Sequence, residues 1–542
     1  MAVSNWYTKA YGSSGQTYPI KKSLILPLLI CLGGGFLLIG LTGCTTDFQQ
    51  AWAAYEQTQY ADAIDKWEPL AQAGDARAQF YMGLMYEKGQ GVEQDNTRAA
   101  EWYRLSAEQG FAHAQNNLGT MYYTGSGVEQ NAEEAAKWLN LAAQQNNVQA
   151  LSNLGVMHMQ GQGVTQDNVQ SLKLIRRAVR NDNPEAQYVL GQMYLQGKGV
   201  EQDDRQAVRW LKLSAKQGYA PAQNTLGLMY ERGQGVFKVP SKAAQWYRKA
   251  ADQGYTPAQN NLGLMYLEGR GVEQDEQQAV RWIQAAGEKG AAQAQCCLGL
   301  MYLEGKGVTQ DYAKAVVRLR QAASQGFAGA RHALGLMYYN GQGVERDYLK
   351  SAQWYEMAAA KDFAPSQNNL GLMYYEGRGV EQSYEKAAEW LRAAALQGAA
   401  QSQYSLGWMY YSGLGVRKDL QRAAHWFQLA AEQDYAAAQT NLGLMYMKGE
   451  GVDKDETQGA EWLRHAAEQG RAVAQSNLGL MYMRGSGVPK DARLAEKYFT
   501  LAAKQGNTTA QNRLAMLRNS RNTEPQVYIV DADLTSSRID TK

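Results

Sequence analysis

A fixed period of 36 residues constrains this chain more than any other feature of its sequence. A glycine followed by any residue and then methionine recurs without insertion at Gly83, Gly119, Gly155, Gly191, Gly227, Gly263, Gly299, Gly335, Gly371, Gly407, Gly443 and Gly479. A constant period of this length is typical of stacked repeats that contact only their neighbours. The 542 residues therefore predict one solenoid and not a series of globular domains.

Each repeat predicts two helices. In the repeat around Gly263, apolar residues at helical spacing form one face of a first helix: Ala258, Leu262, Met265 and Tyr266. The second helix should bury Ala279, Trp282, Ile283 and Ala286. We expect Trp282 and its eight equivalents to be buried between helices. The predicted fold class is all-α, a right-handed α-solenoid superhelix of helix–turn–helix repeats.

The connection between the two helices contains two glycines that resemble a cofactor-binding loop. Gly269 suits the left-handed turn that ends a helix, and Asp275 is placed to cap the next helix. A dinucleotide loop would need a preceding strand and a third glycine, and neither is predicted here. We interpret the glycines as a helix–helix connection.

The repeats also define the domain organisation. Twelve repeats occupy 75–506, a diverged lead-in repeat lies within 44–74, a capping helix is predicted at 507–519 and a polar tail at 520–542. Only Cys296 and Cys297 remain for the mature chain, so we predict no disulfide framework.

The N-terminal segment has the features of an export signal. Lys21 and Lys22 precede an apolar run that extends to Cys44. Such a run describes a secretory signal, and it is also long enough to span a bilayer as an uncleaved helix. Residues 41–44, Leu-Thr-Gly-Cys, resemble the lipobox of bacterial lipoproteins. That resemblance implies a signal peptide at 1–43 and lipidation of Cys44. Because Thr45 is not the aspartate of inner-membrane retention, it also implies the periplasmic face of the outer membrane.

The repeat pattern, A-x-A-Q-x-x-L-G-x-M-Y-x-x-G-x-G-V with a second half D-x-x-x-A-x-x-W-x-x-x-A-A-x-Q-G, resembles Sel1-like repeats over about 47–519. This family is a branch of the tetratricopeptide superfamily. The resemblance implies a scaffold that holds other proteins together. Exported bacterial lipoproteins occur in the family, and so does a cysteine-rich branch linked to β-lactamase-like activity. The paired cysteines of that branch are absent here.

The superfamily resemblance also implies that ligands bind on the inner face of the first helices. Two recurring positions lie there: an asparagine at Asn116, Asn224, Asn260 and Asn368, and a leucine at Leu228, Leu264, Leu300, Leu336 and Leu372. The lysine of a carboxylate clamp is missing. An asparagine–leucine groove suits a peptide segment of a protein partner. The alternative is that these leucines pack between neighbouring first helices.

One repeat carries three aromatic residues at these inner positions. Tyr404, Trp408 and Tyr411 stand at i, i+4 and i+7, so their rings should project from one side of one helix. Such rings could stack on a sugar or anchor a peptide. The alternative is that they fill a wider gap between helices.

Candidates for chemistry are few. Ser383 and Lys386 match the spacing of penicillin-interacting serine enzymes, but Ser383 occupies the position of a helix cap. Cys296, Cys297 and His332 could meet across repeats, although a fourth metal ligand is not evident. We predict no metal and no cofactor.

The predicted function is therefore that of a non-enzymatic scaffold, lipid-anchored to the membrane, in envelope or polysaccharide-export assembly. The alternatives are a carbohydrate-binding module of the cell envelope and a cell-wall-acting or β-lactamase-like enzyme. The net charge of +2 comes with no basic block in the sequence, so we predict no nucleic-acid partner.

Overall fold

A computed structural model describes residues 44–520, and all regular structure in that range is helical. The prediction of an all-α solenoid is confirmed. The described residues form 27 helices: α1 Cys44–Glu56, α2 Tyr60–Gln72, α3 Ala76–Lys88, α4 Asn96–Glu108, α5 Ala112–Thr124, α6 Ala132–Gln144, α7 Val148–Gln160, α8 Asn168–Val179, α9 Pro184–Gln196, α10 Asp204–Lys216, α11 Ala220–Arg232, α12 Pro240–Asp252, α13 Thr256–Glu268, α14 Glu276–Glu288, α15 Ala292–Glu304, α16 Tyr312–Ser324, α17 Ala328–Asn340, α18 Tyr348–Ala359, α19 Ala364–Glu376, α20 Tyr384–Leu396, α21 Ala400–Ser412, α22 Leu420–Ala431, α23 Ala436–Lys448, α24 Glu456–Glu468, α25 Ala472–Arg484, α26 Ala492–Lys504 and α27 Thr508–Ser520.

The helices from α3 to α26 form twelve pairs, which we number as repeats 1–12. The first helix of each pair begins 36 residues after the previous first helix, at Ala76, Ala112 and so on. Helices α1 and α2 form a further pair before repeat 1, joined by a shorter loop, and α27 follows repeat 12. The chain divides into two compact units, 1–285 and 286–542.

The ends of the helices follow from local chemistry. The Asp275 carboxylate accepts hydrogen bonds from the backbone N–H groups of Gln277 and Gln278, both at 2.9 Å. Gly269 ends α13 in the left-handed conformation with φ of 67°. At Gly271 φ is 71°, and an added Cβ would lie 2.3 Å from the Pro240 carbonyl carbon. The first glycine therefore ends a helix, and the second allows the loop to contact the previous repeat.

The two helices of a repeat meet at the glycine that marks the period. A Cβ added to Gly263 would lie 2.5 Å from Cγ1 of Ile283. The same contact pairs the other period glycines with Tyr103, Leu139, Ile175, Leu211, Tyr247, Leu319, Tyr355, Leu391, Phe427, Leu463 and Phe499. The glycine is thus required because the second helix packs a large side chain directly on the first helix's backbone.

The structure corrects one prediction about the core. Ala258, Leu262 and Met265 are buried, as are Ala279, Ile283 and Ala286. Trp282 is only half-buried, so the prediction that it is buried in the helix interface is wrong. Ile283, one residue further and about 100° around the helix, is the residue that points at the first helix.

A pair of glutamines links consecutive helices, and this link was not predicted from the sequence. Gln403 Nε2 donates to the carbonyl oxygen of Ala395 at 3.1 Å, and its Oε1 accepts from Gln433 Nε2 at 2.8 Å. Equivalent glutamine pairs 30 residues apart occur in repeats 1, 2, 4, 5, 7, 9, 11 and 12. The recurring glutamines of the A-Q and Q-G motifs were the available signal. Repeat 3 has Leu151 and Asn181 at these positions, so it lacks the glutamine pair.

Candidate functional site

The first of the two predicted inner positions is buried. Asn224, Asn260 and Asn368 are 2%, 3% and 7% exposed, and Tyr404 is fully buried. The expectation that these four side chains line an open face is therefore wrong. In two of them a side chain of the next repeat satisfies the buried amide oxygen: Asn224 Oδ1 accepts from Asn261 Nδ2 at 3.0 Å, and Asn368 Oδ1 accepts from Ser402 Oγ at 2.7 Å.

Tyr404 is buried by aromatic neighbours. Its ring centroid lies 5.6 Å from that of Phe427 and 5.2 Å from that of Tyr435. Both residues belong to the second half of the same repeat. The ring therefore fills space between helices, which is the alternative that the sequence left open for this residue.

The leucine position differs from one repeat to another. Leu264 is only 6% exposed, so the alternative of packing between helices holds for this residue, whereas Leu372 and Trp408 are half-buried. Leu228 is half-buried as well, but the same position is buried in the repeats on either side of it. In repeats 8, 9 and 10 the position is half-buried throughout, as Leu336, Leu372 and Trp408. Access to this face is therefore concentrated in repeats 8–10, all within the second unit.

Aromatic side chains dominate this accessible stretch. Trp408 and Tyr411 stack with their ring centroids 5.8 Å apart and an angle of 21° between ring planes. Tyr339 and Tyr375 occupy the position of Tyr411 in the two preceding repeats and are also half-buried. We call Tyr339, Tyr375, Trp408 and Tyr411 the aromatic row. The two preceding tyrosines were not predicted as site residues, although their 36-residue spacing was visible in the sequence.

Neighbouring repeats hold the aromatic row in place. The Tyr411 hydroxyl donates to Glu450 Oε2 at 3.0 Å, and Arg378 Nη1 donates to the Tyr339 hydroxyl at 2.5 Å. Burial and the hydrogen bond with the Glu450 carboxylate raise the pKa of Tyr411 to about 12. The ring therefore stays neutral at physiological pH. Lys418 Nζ lies 5.9 Å from the Tyr411 ring centroid.

The rings present apolar faces beside hydroxyl groups that are already hydrogen-bonded. Half-buried Trp and Tyr rings offer flat apolar faces, and side chains already held in place lose little entropy when a ligand binds. The arrangement can stack on a planar or cyclic group and hydrogen-bond beside it.

The serine considered for catalysis is a helix cap. Ser383 Oγ accepts from the backbone N–H of Lys386 at 3.3 Å and donates to Glu385 Oε2 at 3.1 Å. The interpretation of Ser383 as an N-cap is confirmed.

The cysteine and histidine side chains that were considered as metal ligands are buried inside the fold. Cys296 and Cys297 are fully buried, and His332 Nδ1 lies 2.9 Å from Ser366 Oγ. Burial lowers the pKa of His332 to about 3, so its ring is neutral. Between residues 44 and 520, no three His, Cys, Asp or Glu side chains are grouped as metal ligands.

The predicted signal peptide, lipidation site and polar tail lie at the two ends of the chain. Cys44 is the first residue of α1, and the predicted signal peptide at 1–43 lies outside the described residues. The predicted polar tail lies outside them as well, apart from Ser520 at the end of α27. None of the helices within 44–520 is long and apolar enough to cross a membrane.

Comparison with known proteins agrees with this architecture. The Sel1 repeat family model matches 76–111, 112–147, 148–183, 184–219, 220–255, 256–290, 292–327, 328–363, 364–398, 400–435, 436–470 and 472–507. No curated protein matches the chain. Among solved structures, a protective antigen of uropathogenic Escherichia coli strains that displays an SLR fold is 33% identical. That match covers 86% of this chain and 99% of the antigen, with a TM-score of 0.58.

A Sel1 repeat protein from Oxalobacter formigenes is 35% identical, over 57% of this chain and 90% of that protein, with a TM-score of 0.45. Twelve matched repeats cover most of the chain, and they coincide with the twelve helix pairs. The chain therefore belongs to the Sel1 repeat family.

Proposed function

We propose that this chain is a membrane-tethered scaffold of the cell envelope that binds a segment of a protein partner along the aromatic row of repeats 8–10. The repeat-helical fold supports an interaction role in general. The observation that carries the specific site is the cluster of half-buried aromatic rings, Tyr339, Tyr375, Trp408 and Tyr411, on one surface of the second unit.

The chemistry of the row favours a protein segment. Trp and Tyr are enriched among the residues that contribute most of the binding energy at protein interfaces. Leu336 and Leu372 lie beside the rings and add apolar surface. The hydroxyls of Tyr339 and Tyr411 are already engaged with Arg378 and Glu450, so binding does not need to order these rings.

The site is tested by affinity capture from the organism's own envelope with wild type and Trp408→Leu. Leucine is the residue that most repeats carry at this position, so the variant should keep the fold. We expect capture of the partner to fall about tenfold or more, because such aromatic contacts often contribute about 2 kcal/mol.

The matched control is Trp426→Leu, which changes a half-buried tryptophan on the second helix of the same repeat. It should leave capture unchanged. Equal capture by wild type and Trp408→Leu, with both variants folded, would remove the aromatic row as the partner site.

A carbohydrate ligand is the second candidate, because aromatic rings on one face are also what a sugar-binding surface requires. In that case an envelope polysaccharide would compete with the captured protein. The Trp408→Leu variant would also bind the polysaccharide more weakly than wild type does. A partner whose capture is insensitive to added polysaccharide supports the protein-binding proposal.

The tether rests on Cys44 as a lipidation site, and with it a location at the periplasmic face of the outer membrane. Labelling cells with a fatty-acid analogue should mark wild type and leave Cys44→Ala unlabelled. Equal labelling of the two chains would show that the lipid, if any, is attached elsewhere.

A further inference from the structure

Three consecutive second helices of the first unit carry a concentrated positive charge. Helices α8, α10 and α12 contain ten Lys or Arg and two Asp. The second helices of repeats 8–11, α18, α20, α22 and α24, contain five Lys or Arg and six Glu. The second helix of repeat 7, α16, also has three Lys or Arg and no acid, but only in repeats 3–5 do three such basic helices follow one another.

These basic side chains face solvent. Arg177 and Lys212 are half-buried, and the others are exposed: Lys173, Arg176, Arg205, Arg209, Lys216, Lys242, Arg248 and Lys249. We call these ten residues the basic surface.

Carboxylates do not neutralise the basic surface. Within residues 44–520, no salt bridge of 4.0 Å or less includes any of its ten members. Two of the nearby acids hydrogen-bond to glutamines: Asp204 accepts from Gln234 at 3.0 Å, and Asp182 accepts from Gln187 at 2.6 Å. Uncompensated charges that share a surface reinforce one another's potential.

The charges of neighbouring repeats belong to one surface. Lys212 of α10 and Lys242 of α12 lie over the same ring, with their Nζ atoms 5.7 Å and 5.6 Å from the centroid of Tyr230. On the other side, Gln217 at the end of α10 donates to Asp182, which follows α8, at 3.3 Å. Helices α8, α10 and α12 therefore lie side by side, with their exposed basic side chains on adjacent repeats.

Apolar and aromatic groups lie among the charges. Trp210 and Trp246 are half-buried, and Leu213 is 40% exposed. Lys249 Nζ lies 4.6 Å from the ring centroid of Trp246. Tryptophan next to lysine and arginine is the combination found where proteins meet the headgroup region of a membrane.

We infer that the basic surface of repeats 3–5 docks on the phosphate headgroups of an anionic lipid bilayer. The charges extend along each helix and across three helices, so they match a two-dimensional array of phosphates. Lys and Arg provide the attraction to anionic lipids, and Trp210, Trp246 and Leu213 provide groups that partition into the interface. This docking depends neither on Cys44 nor on the aromatic row.

The test is lysine acetylation of the full chain, followed by mass spectrometry, on two kinds of vesicle. One contains phosphatidylcholine alone, and the other contains one part phosphatidylglycerol to two parts phosphatidylcholine. Any N-terminal membrane insertion is common to both, so a difference between them reports the charge-dependent contact.

We expect acetylation of five lysines to slow at least threefold on the anionic vesicles: Lys173, Lys212, Lys216, Lys242 and Lys249. Lys137, Lys386 and Lys497 are exposed lysines on second helices outside the basic surface and should react equally on both vesicles. The protection should disappear at about 1 M salt, where the screening length is only about 3 Å.

A charge-reversal variant checks the cause. Arg176→Glu, Arg209→Glu and Arg248→Glu together should abolish the protection of the five lysines. The control with the same change in total charge, Arg98→Glu with Lys386→Glu and Lys497→Glu, should retain it. If the first variant fails to fold, the wild-type comparison still tests the inference, because it measures the protection of each lysine on neutral and on anionic vesicles.

Two outcomes would overturn the inference. One is equal reactivity of the five lysines on neutral and anionic vesicles. The other is protection by double-stranded DNA or polyglutamate without protection on anionic vesicles, which would make the basic surface a site for a linear polyanion.

Discussion

Gly263 and Ile283 lie so close that a Cβ on the glycine would come within 2.5 Å of the Cγ1 atom of the isoleucine. This single contact explains why a glycine recurs every 36 residues in the middle of a helix, where glycine otherwise weakens the structure. The glycine that recurs with the period thus marks the point where the two helices of each repeat come close together.

Substituting alanine for Gly263 should destabilise the protein by about 1–3 kcal/mol, because the added methyl group forces Ile283 or a helix to move. Gly287 is the matched control: it is also helical, but the nearest atoms of other elements lie 3.7 Å from the position that its Cβ would take. Gly287→Ala should be neutral or stabilising by up to about 1 kcal/mol. Urea unfolding of the two variants measures the difference, and equal effects would contradict the packing argument.

Ile283→Ala should cost about 2–5 kcal/mol, as expected for a fully buried isoleucine. Trp282→Ala should cost less, even though tryptophan is larger, because Trp282 is only half-buried. Since repeats contact mainly their neighbours, hydrogen exchange should rise in repeats 5 and 6 and stay unchanged in repeats 1 and 12. A larger loss of stability for Trp282→Ala would reverse the assignment of the core residue.

Gln403→Leu should destabilise the protein by about 1–2 kcal/mol, because the buried Ala395 carbonyl loses its hydrogen bond. Gln428→Leu changes an exposed glutamine in the same repeat and should stay within about 0.5 kcal/mol of wild type.

A double-mutant cycle with Gln433→Ala tests the pairing of the glutamines directly. The combined cost should be smaller than the sum of the single costs, because Gln433 Nε2 donates to Gln403 Oε1. Strictly additive effects would indicate that the two side chains act independently.

Two buried groups, one in each unit, should make the local stability respond to pH in opposite directions. Burial raises the pKa of Glu185 to about 7, so the folded state holds its proton more tightly than the unfolded state does. The stability that this group contributes is present below the unfolded pKa, near 4.5, and is lost as the pH rises towards 7. Lowering the pH from 8 to 5 should therefore stabilise helix α9 and its neighbours by about 2–3 kcal/mol.

His332 should change the local stability with pH in the opposite direction. Burial lowers its pKa to about 3, so its contribution is present above the unfolded pKa of 6.5 and is lost as the pH falls. The same change to pH 5 should destabilise the surroundings of α17 by about 2 kcal/mol.

Hydrogen exchange, corrected for the intrinsic pH dependence of amide exchange, reports both regions in one sample. Glu185→Gln should remove the response around α9 and leave that around α17. A uniform change along the chain would show that neither buried group controls local stability.

The sequence by itself determined the repeat, the fold class and the ends of the helices. These features depend on contacts between residues close in the chain: Asp275 caps a helix two and three residues away, and Gly269 ends the helix that precedes it. The same locality made Ser383 recognisable as a cap. Together with the helical pattern, the 36-residue period indicates an architecture of stacked helical repeats.

Only the tertiary structure decided which side chains are accessible. Periodicity places Asn224 and Tyr404 opposite the apolar stripe. Whether such a position is open depends on contacts such as Asn261 with Asn224 and Tyr435 with Tyr404, from residues 37 and 31 positions further along the chain.

The same reason applies to the choice between Trp282 and Ile283 and to the basic surface. Periodicity alone does not show which of two neighbouring helix residues is more buried, because a small rotation of the helix exchanges their environments. Lysines and arginines spread over 173–249 become one surface only when three helices 36 residues apart lie side by side. Contacts between residues distant in the chain set the rotation and spacing of the helices, and those contacts exist only in the folded state.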